Sequence, residues 1–241
     1  MSRLKRRVAD RAVLSLVDSY LKQGVIKDLA TWTPAEGTPR GAVSSPLLSN
    51  IFLEPLDQAM AAAGFEMVRY ADDFVILCRS TAAAKAALRL VAQWTAAVGL
   101  ALHPEKTHLV DAKQPGGFDF LGYHFERGYR WPRKKSLGKL KDTLRRQSKR
   151  AHGHSLVDII SDLNRTLQGW CEYFKHSHKT TFPSVDKWLR MRLRSILRKR
   201  RGGRGRGRGS DHQCWPNAFF AKQGLFSLTT AYALACQSSR R

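Results

Sequence analysis

Two adjacent carboxylates, Asp72 and Asp73, stand between two apolar β-like runs, FEMVRY (65–70) and FVILC (74–78). Like charges this close repel, and apolar flanks withhold solvent on at least one side, so the pair is costly unless something offsets it. A divalent cation does so. Mg²⁺ favours one or two carboxylates plus substrate phosphates. Two such ions about 3.5–4 Å apart clamp the attacking and leaving oxygens of an in-line displacement. An ordinary solvated turn competes with this reading, because Asp is common in turns, and on the dipeptide alone it is the better one. The apolar runs on both sides, with the motifs around them, reverse that order.

A second stretch with chemical potential is GTPRGAVSSPLLSNIFL (37–53). Its glycines permit close backbone approach to a base pair or phosphate, and it runs into a helix N-terminus that favours anions. A loop merely stiffened by Pro34, Pro39 and Pro46 is the plain alternative. The cluster His152, His154, His176, His178, His212 and Cys214 fits no zinc-finger spacing and has no paired CxxC, so no zinc is expected.

Charge divides the chain. Of its 241 residues, 42 are Lys or Arg and 19 Asp or Glu, a net of +23 that calls for a polyanionic partner. Residues 1–126 hold 14 basic and 13 acidic side chains, while residues 127–241 hold 28 and 6. A neutral, apolar-rich first half with a polycationic second half suggests chemistry or scaffold followed by binding. Four widely spaced cysteines without CxxC suit a reduced cytosol, and a bacterial cytosol is expected. No run approaches the ~18 apolar residues of a membrane span, so no membrane partner is expected.

The elements that must position these groups follow from periodicity. Residues 8–23 read as an amphipathic helix with Val13, Leu16, Val17, Tyr20 and Leu21 on one face and Gly24 as the stop. Residues 31–44 read as a loop. Ser45-Pro46 opens a second helix with Leu48, Ile51, Phe52, Leu56 and Met60 as its buried stripe and a possible kink at Pro55. The two β-like runs then form a tight hairpin with Ala71, Asp72 and Asp73 between them. Thr81 caps a helix to about Val98, with Leu88, Val91 and Trp94 inward and Gly99 at its end. Further strands are expected at His108–Val110, Phe118–Leu121 and Tyr123–Phe125. Helices follow near 137–150, 156–170 and 184–200, the second opened by a capping box of Ser155 and Asp158. RGGRGRGRG (201–209) is too glycine-rich to fold alone. It reads as a flexible linker or, better, as a phosphate-contacting tract. Trp131, Trp170, Trp188 and Trp215 offer faces for base stacking, but most such residues are core.

The ordered series Gly37–Leu53, Tyr70–Asp73, GLALHPEKT (99–107) and FLGY (120–123) resembles the consecutive palm motifs of group II intron-encoded reverse transcriptases. RTLQGWCEYF (165–174), WLRMRLRSILRKR (188–200) and CWPNAFFAKQGLFSLTTAY (214–232) resemble the thumb-like maturase domain of the same proteins, so the resemblance spans essentially the whole chain. It implies an α+β fold: a partial palm with a small antiparallel sheet over residues 1–126, a basic helical thumb over 127–200, an Arg/Gly linker over 201–210, and the end of the maturase domain over 211–241. It implies Asp72 as ligand to both Mg²⁺ ions and Asp73 as the supporting carboxylate. Tyr70 and Ala71 would lie against the primer end and incoming nucleotide, and Gly37, Pro39, Arg40 and Gly41 would line the template–nucleotide pocket. Lys106 would sit near the triphosphate, and Phe120, Leu121 and Gly122 would form the primer grip. Trp170 and Tyr173 would pack the thumb.

The basic half then supplies candidate contacts to intron RNA. These are Arg133, Lys134 and Lys135, followed by Arg145, Arg146 and Lys149. Arg190, Arg194, Arg198, Lys199 and Arg200 come next along the third helix, and Arg201, Arg204, Arg206 and Arg208 in the tract. The chain departs from the family pattern with Arg40 where Gln is usual and Ala42 where Gly is usual. A further catalytic aspartate of the family lies upstream of the segment that Val8–Leu21 resembles, so a two-metal site here is incomplete. The expected function is therefore RNA-directed DNA synthesis and maturase-like binding of intron RNA and template–primer, with an upstream part needed for synthesis, either a separate N-terminal reverse transcriptase fragment or the other side of an interrupted reading frame. A polymerase-dead splicing cofactor, or a degenerate remnant, is the alternative.

Overall fold

The computed structural model describes residues 1–22, 25–27, 30–32, 45–150, 153–207 and 209–238. They fall into two compact units, Met1–Leu109 and Val110–Arg241. The loop residues Gly37, Pro39, Arg40 and Gly41, together with His152 and Arg208, lie outside the described residues.

The first unit begins with α1 (Ser2–Lys5) and α2 (Arg11–Lys22), then a short antiparallel pair, β1 (Val25–Lys27) and β2 (Ala30–Trp32). Asp10 Oδ1 accepts from the backbone N–H groups of Ala12 and Val13 at the start of α2. That helix buries no residue: Val13, Leu16 and Tyr20 are all exposed. Next come α3 (Ser45–Ala62), β3 (Glu66–Tyr70), β4 (Asp73–Leu77) and α4 (Thr81–Ala97). Leu56 and Met60 of α3 pack against Ala87 and Val91 of α4, and half-buried Phe65, Met67, Phe74 and Ile76 of the hairpin close that core. The expected stripe of α3 is thus only partly covered, and Phe52 is exposed. α3 runs on through Pro55. The cap of α4 is Ser80, whose hydroxyl accepts from Ala83 N at 3.2 Å; Thr81 is already helical, and the correction is one residue between neighbouring hydroxyls. Gly99, at φ +74°, turns the chain out of the helix. His108–Val110 is not a strand.

The second unit opens with an antiparallel meander of β5 (Phe118–Phe120), β6 (Tyr123–Glu126) and β7 (Tyr129–Pro132). Both turns have two central residues at positive φ, Leu121 and Gly122, then Arg127 and Gly128, the requirement of type I′ hairpins. Six helices follow: α5 (Lys134–Gln147), α6 (Leu156–Phe174), α7 (Thr181–Arg200), α8 (Gly209–Cys214), α9 (Asn217–Lys222) and α10 (Leu228–Ser238). The Ser155 hydroxyl accepts from Asp158 N at 3.1 Å and bonds the Asp158 carboxylate at 2.7 Å, so the expected cap is present.

Residues Ile159, Leu163, Leu167 and Cys171 recur every fourth position on α6, and this stripe meets Phe182, Val185, Leu189, Leu193 and Ile196 of α7. Trp215 just after α8, Phe220 of α9 and Leu228 of α10 complete the core. α7 is therefore a central helix of this unit, not an outlying charged rod. The Arg/Gly segment is tied back to it. Gly207 N donates to Ser195 Oγ at 3.1 Å, Arg198 Nε donates to Arg204 O at 2.9 Å, and a Cβ at Gly203 would come within 2.7 Å of Arg198 Cγ. No helix among the described residues is long and apolar enough to cross a membrane.

Candidate functional site

The two carboxylates owe their position to the β3–β4 hairpin. Register pairs Tyr70 with Asp73, so the tip is the two-residue turn Ala71-Asp72, and Asp73 already belongs to β4. The tight hairpin expected from the sequence is present, one residue shorter at its tip. Ala71 takes φ +54° at the first central position, where glycine is the usual occupant of a turn that is left-handed only there. An alanine in that region costs on the order of 1–2 kcal/mol, so its surroundings must hold it.

Arg69 does so. Alternation along β3 turns Met67 and Arg69 inward and leaves Glu66, Val68 and Tyr70 exposed. The Arg69 side chain is only 10% exposed, and its guanidinium makes a forked pair with Asp57 of α3, Nε to Oδ1 at 2.8 Å and Nη2 to Oδ2 at 2.5 Å. Its Nη1 donates to Asn50 Oδ1 at 3.0 Å and to the Ala71 carbonyl at 2.8 Å. Hydrogen bonding to Asp57 raises the Arg69 pKa against the opposing effect of burial. One side chain thus fastens the turn to the helix beneath it. Its partners lie 12 and 19 residues back in the sequence, so no local pattern announced the role.

Asp72 and Asp73 are exposed, and no hydrogen bond or ion pair among the described residues engages either carboxylate. Two adjacent open carboxylates suit a hard oxygen-seeking cation such as Mg²⁺. Among the described residues no third His, Cys, Asp or Glu joins them. By itself the pair offers fewer protein donors than a closed metal site. Tyr70 is 67% exposed beside it. Lys106 is exposed in a turn closed by Thr107 N on His103 O at 3.0 Å, and it makes no hydrogen bond or ion pair to either aspartate.

The remaining candidates lie in the second unit. Phe120, Leu121 and Gly122 span the first meander turn. The Gly122 carbonyl accepts from Arg133 N at 2.9 Å and Ser136 Oγ at 3.1 Å, and Tyr173 Oη donates to Leu121 O at 2.6 Å. Tyr123 Oη in turn donates to Tyr173 O. The turn is thus clasped by the start of α5 and the end of α6. Gly122 has φ +82°, and an added Cβ would lie 3.3 Å from Ser136 Oγ, so glycine fits both the turn and the space. Trp170 buries its Nε1 without a partner among the described residues.

The basic residues divide by exposure. Lys134, Lys135, Arg145, Arg146, Lys149, Lys199, Arg200, Arg201, Arg204 and Arg206 are exposed, and Arg133 and Arg190 are half-buried. Arg194 lies inside the unit, 3% exposed, donating to Trp215 O and Asn217 Oδ1 at 2.9 Å each while lying over the Phe220 ring. Arg198 pairs with buried Asp211 at 3.0 Å. These two guanidiniums hold α7 to the C-terminal helices, since a buried donor needs partners. Their helical spacing with exposed arginines gave no sign of this.

Comparison with known proteins agrees with the geometry. Residues 4–125 match the family described as reverse transcriptase (RNA-dependent DNA polymerase), and residues 137–215 match the group II intron, maturase-specific domain. The chain is 27% identical over 162 residues to Protein YkfC of Escherichia coli (strain K12), an alignment that takes in 53% of this chain and 42% of that protein. It spans well under two thirds of that relative's length.

Proposed function

This chain belongs to the group II intron reverse transcriptase/maturase family, and on that premise we propose that it contributes the Asp72/Asp73 half of a Mg²⁺-dependent site for RNA-directed DNA synthesis. The observation that carries the reading is a left-handed hairpin tip, fastened by Arg69, that presents two open carboxylates. Bound Mg²⁺ would supply charge neutralisation at the reacting phosphoryl group and at the attacking and leaving oxygens. Asp72 and Asp73 would hold it, Asp72 as the shared ligand and Asp73 in support. Tyr70 and Ala71 flank the tip and would meet the primer end and incoming nucleotide. A further carboxylate from a segment supplied upstream would complete the donor set. Lys106, and the turn Phe120–Gly122 as primer grip, are the companion assignments, with Gly37–Gly41 as the template-side loop. The second unit would bind intron RNA and template–primer through the exposed arginines and lysines at the two ends of α5, along α7 and in the Arg/Gly segment.

Primer extension on an RNA template with Mg²⁺ tests this, using the chain alone and then with a fragment carrying fingers and upstream palm. Extension only with the fragment supports the reading. No extension in either case, with salt-sensitive RNA binding intact, would sink the polymerase assignment and leave a binding protein.

Arg69 supplies a separate check. Arg69→Lys keeps the charge but loses the fork, so the tip is held by fewer bonds. Misplacement of reacting groups by about 1 Å costs on the order of 100-fold. Extension in the reconstituted preparation should fall by about 10- to 100-fold, while RNA binding stays unchanged. Wild-type extension rates would show that the clamp does not position the carboxylates.

A further inference from the structure

We propose that the second unit holds a built pocket for a backbone phosphodiester of RNA, in the cleft where Arg145, Arg150, Arg192 and Arg206 converge beside Trp188. The proposal rests on the reading of this unit as RNA-binding, and it names one place where that binding is made.

The cleft has a volume of about 290 Å³ and lies between the end of α5, the middle of α7 and the Arg/Gly segment; among the described residues no acidic side chain lines it. Arg192 forms its floor. Its Nε donates to Ser148 Oγ at 2.8 Å, and its Nη2 donates to Ser148 O at 3.0 Å and Arg145 O at 3.3 Å. Ser148 is 1% exposed, so this anchor is rigid. No hydrogen bond among the described residues engages Arg192 Nη1. Arg150 spends only Nη1, on Gly205 O at 3.1 Å, and Arg206 is exposed on the opposite rim. Among the described residues, Arg145 alone of the four has a carboxylate, Asp142 one turn earlier on α5.

Such a gathering is unfavourable by itself. Burial lowers the Arg192 pKa first, and the neighbouring charges of Arg145 and Arg150 lower it further. Nothing in the fold requires this repulsion. Arg198, six residues along the same helix, is given Asp211, whereas among the described residues Arg150, Arg192 and Arg206 are given no carboxylate. An anion would remove the penalty.

Trp188 narrows the class of anion. Its ring centroid lies 5.3 Å from the Arg192 guanidinium carbon, 5.6 Å from that of Arg145 and 6.0 Å from Lys141 Nζ. The indole is occupied in orienting cations, so it does not offer a bare face to a base. Planar guanidiniums held in fixed orientation match the paired non-bridging oxygens of a phosphate. The chemistry is therefore recognition of the strand's backbone, without sequence readout. A free phosphate shares that chemistry and is distinguished below.

The test uses the full chain and a mixed-sequence single-stranded RNA oligonucleotide, with affinity measured by fluorescence anisotropy over a range of salt. Arg150→Gln with Arg206→Gln is compared with Arg165→Gln with Lys222→Gln, which removes the same charge outside the cleft. Circular dichroism verifies that both fold. The cleft pair should weaken binding about tenfold or more and make the salt slope shallower by about 1.4, the value for two phosphate contacts on a single strand. The outside pair should change affinity by less than about threefold, with its slope unaltered.

Equal losses in the two pairs would overturn the cleft while leaving RNA binding intact. A flat salt response of the unaltered chain would instead overturn the RNA reading itself. Arginine modification by p-hydroxyphenylglyoxal, mapped by mass spectrometry, is the second measurement. RNA should protect Arg150 and Arg206 more than Arg165. Equal protection by inorganic phosphate at the same phosphate concentration would mean that the cleft takes free phosphate, against the proposal.

Discussion

Asp72→Asn should reduce primer extension by about a thousandfold or more in any preparation that supports it, with RNA binding and its salt dependence unchanged. Asn keeps the size and the turn preference of Asp, so the hairpin tip has no steric reason to move. What is lost is one negative charge aimed at a cation beside developing charge on phosphate. Removing a single preorganised electrostatic contact of this kind costs about 3–4 kcal/mol of barrier, or about 10²–10³ in rate, and losing a shared metal ligand lies at the upper end. Asp73→Asn should be milder, about 10- to 100-fold, if Asp73 only supports the ion. The order of the two effects is itself diagnostic. Steady-state extension on an RNA template with Mg²⁺ reads it, and an Asp72→Asn chain that extends at more than a tenth of the normal rate would show that the tip is a solvated turn after all. Binding should be spared because the excess positive charge lies in the other half of the sequence.

The second large effect concerns stability. Asp186 on α7 is 4% exposed, and its carboxylate accepts from Ser227 Oγ, Leu228 N and Thr229 N at 3.1 Å each and from Thr229 Oγ1 at 2.8 Å. Leu228 and Thr229 open α10, so their N–H groups are donors with no partner inside their own helix. Asp186 supplies the cap from another helix, and its charge also suits the positive end of α10. Asp186→Ala would strand two backbone donors and two hydroxyls at a buried junction. The expected loss is about 3 kcal/mol or more. For a unit of this size that lowers the melting temperature by roughly 10 °C. Asp186→Asn, which keeps one acceptor and loses the charge, should fall between Ala and the parent. Thermal unfolding of the second unit, followed by circular dichroism, is the measurement. Three equal melting temperatures would show that α10 is held by its apolar contacts alone.

The hairpin that carries Asp72 and Asp73 was legible because apolar runs bracket turn residues, and a β period is readable within five or six positions. Its exact tip was not: Asp73 is a strand residue because pairing with Tyr70 continues the ladder, and polarity alone does not reveal that. The long helices α5, α6 and α7 were legible for the same reason of periodicity, although each begins or ends a few residues from the expected bound, whereas the six-residue α8 and α9 were not foreseen. β7 was missed, since YRWP is short and ends in proline. Side chains that act across elements were illegible. The linear pattern marks neither Arg69 nor Asp186 and offers Arg194 as an RNA contact; only the fold brings Asp57, the start of α10 and Asn217 to them. The apolar face of α2 erred the other way, since its pattern promised burial that the described residues do not provide.

The cap that Asp186 gives to α10 also sets an order of events during translation. A ribosome delivers Ser227, Leu228 and Thr229 only after 41–43 further residues have followed Asp186. Until then this carboxylate has no partner and must stay in water, which keeps α7 from settling into its final packing. Domains otherwise tend to fold from the N-terminus as they are made. Here the first unit can form early, while the second waits for α10. Nascent chains stalled before Ser227 should therefore remain open to protease along α7, and delivery of the segment from Ser227 through α10 should close them.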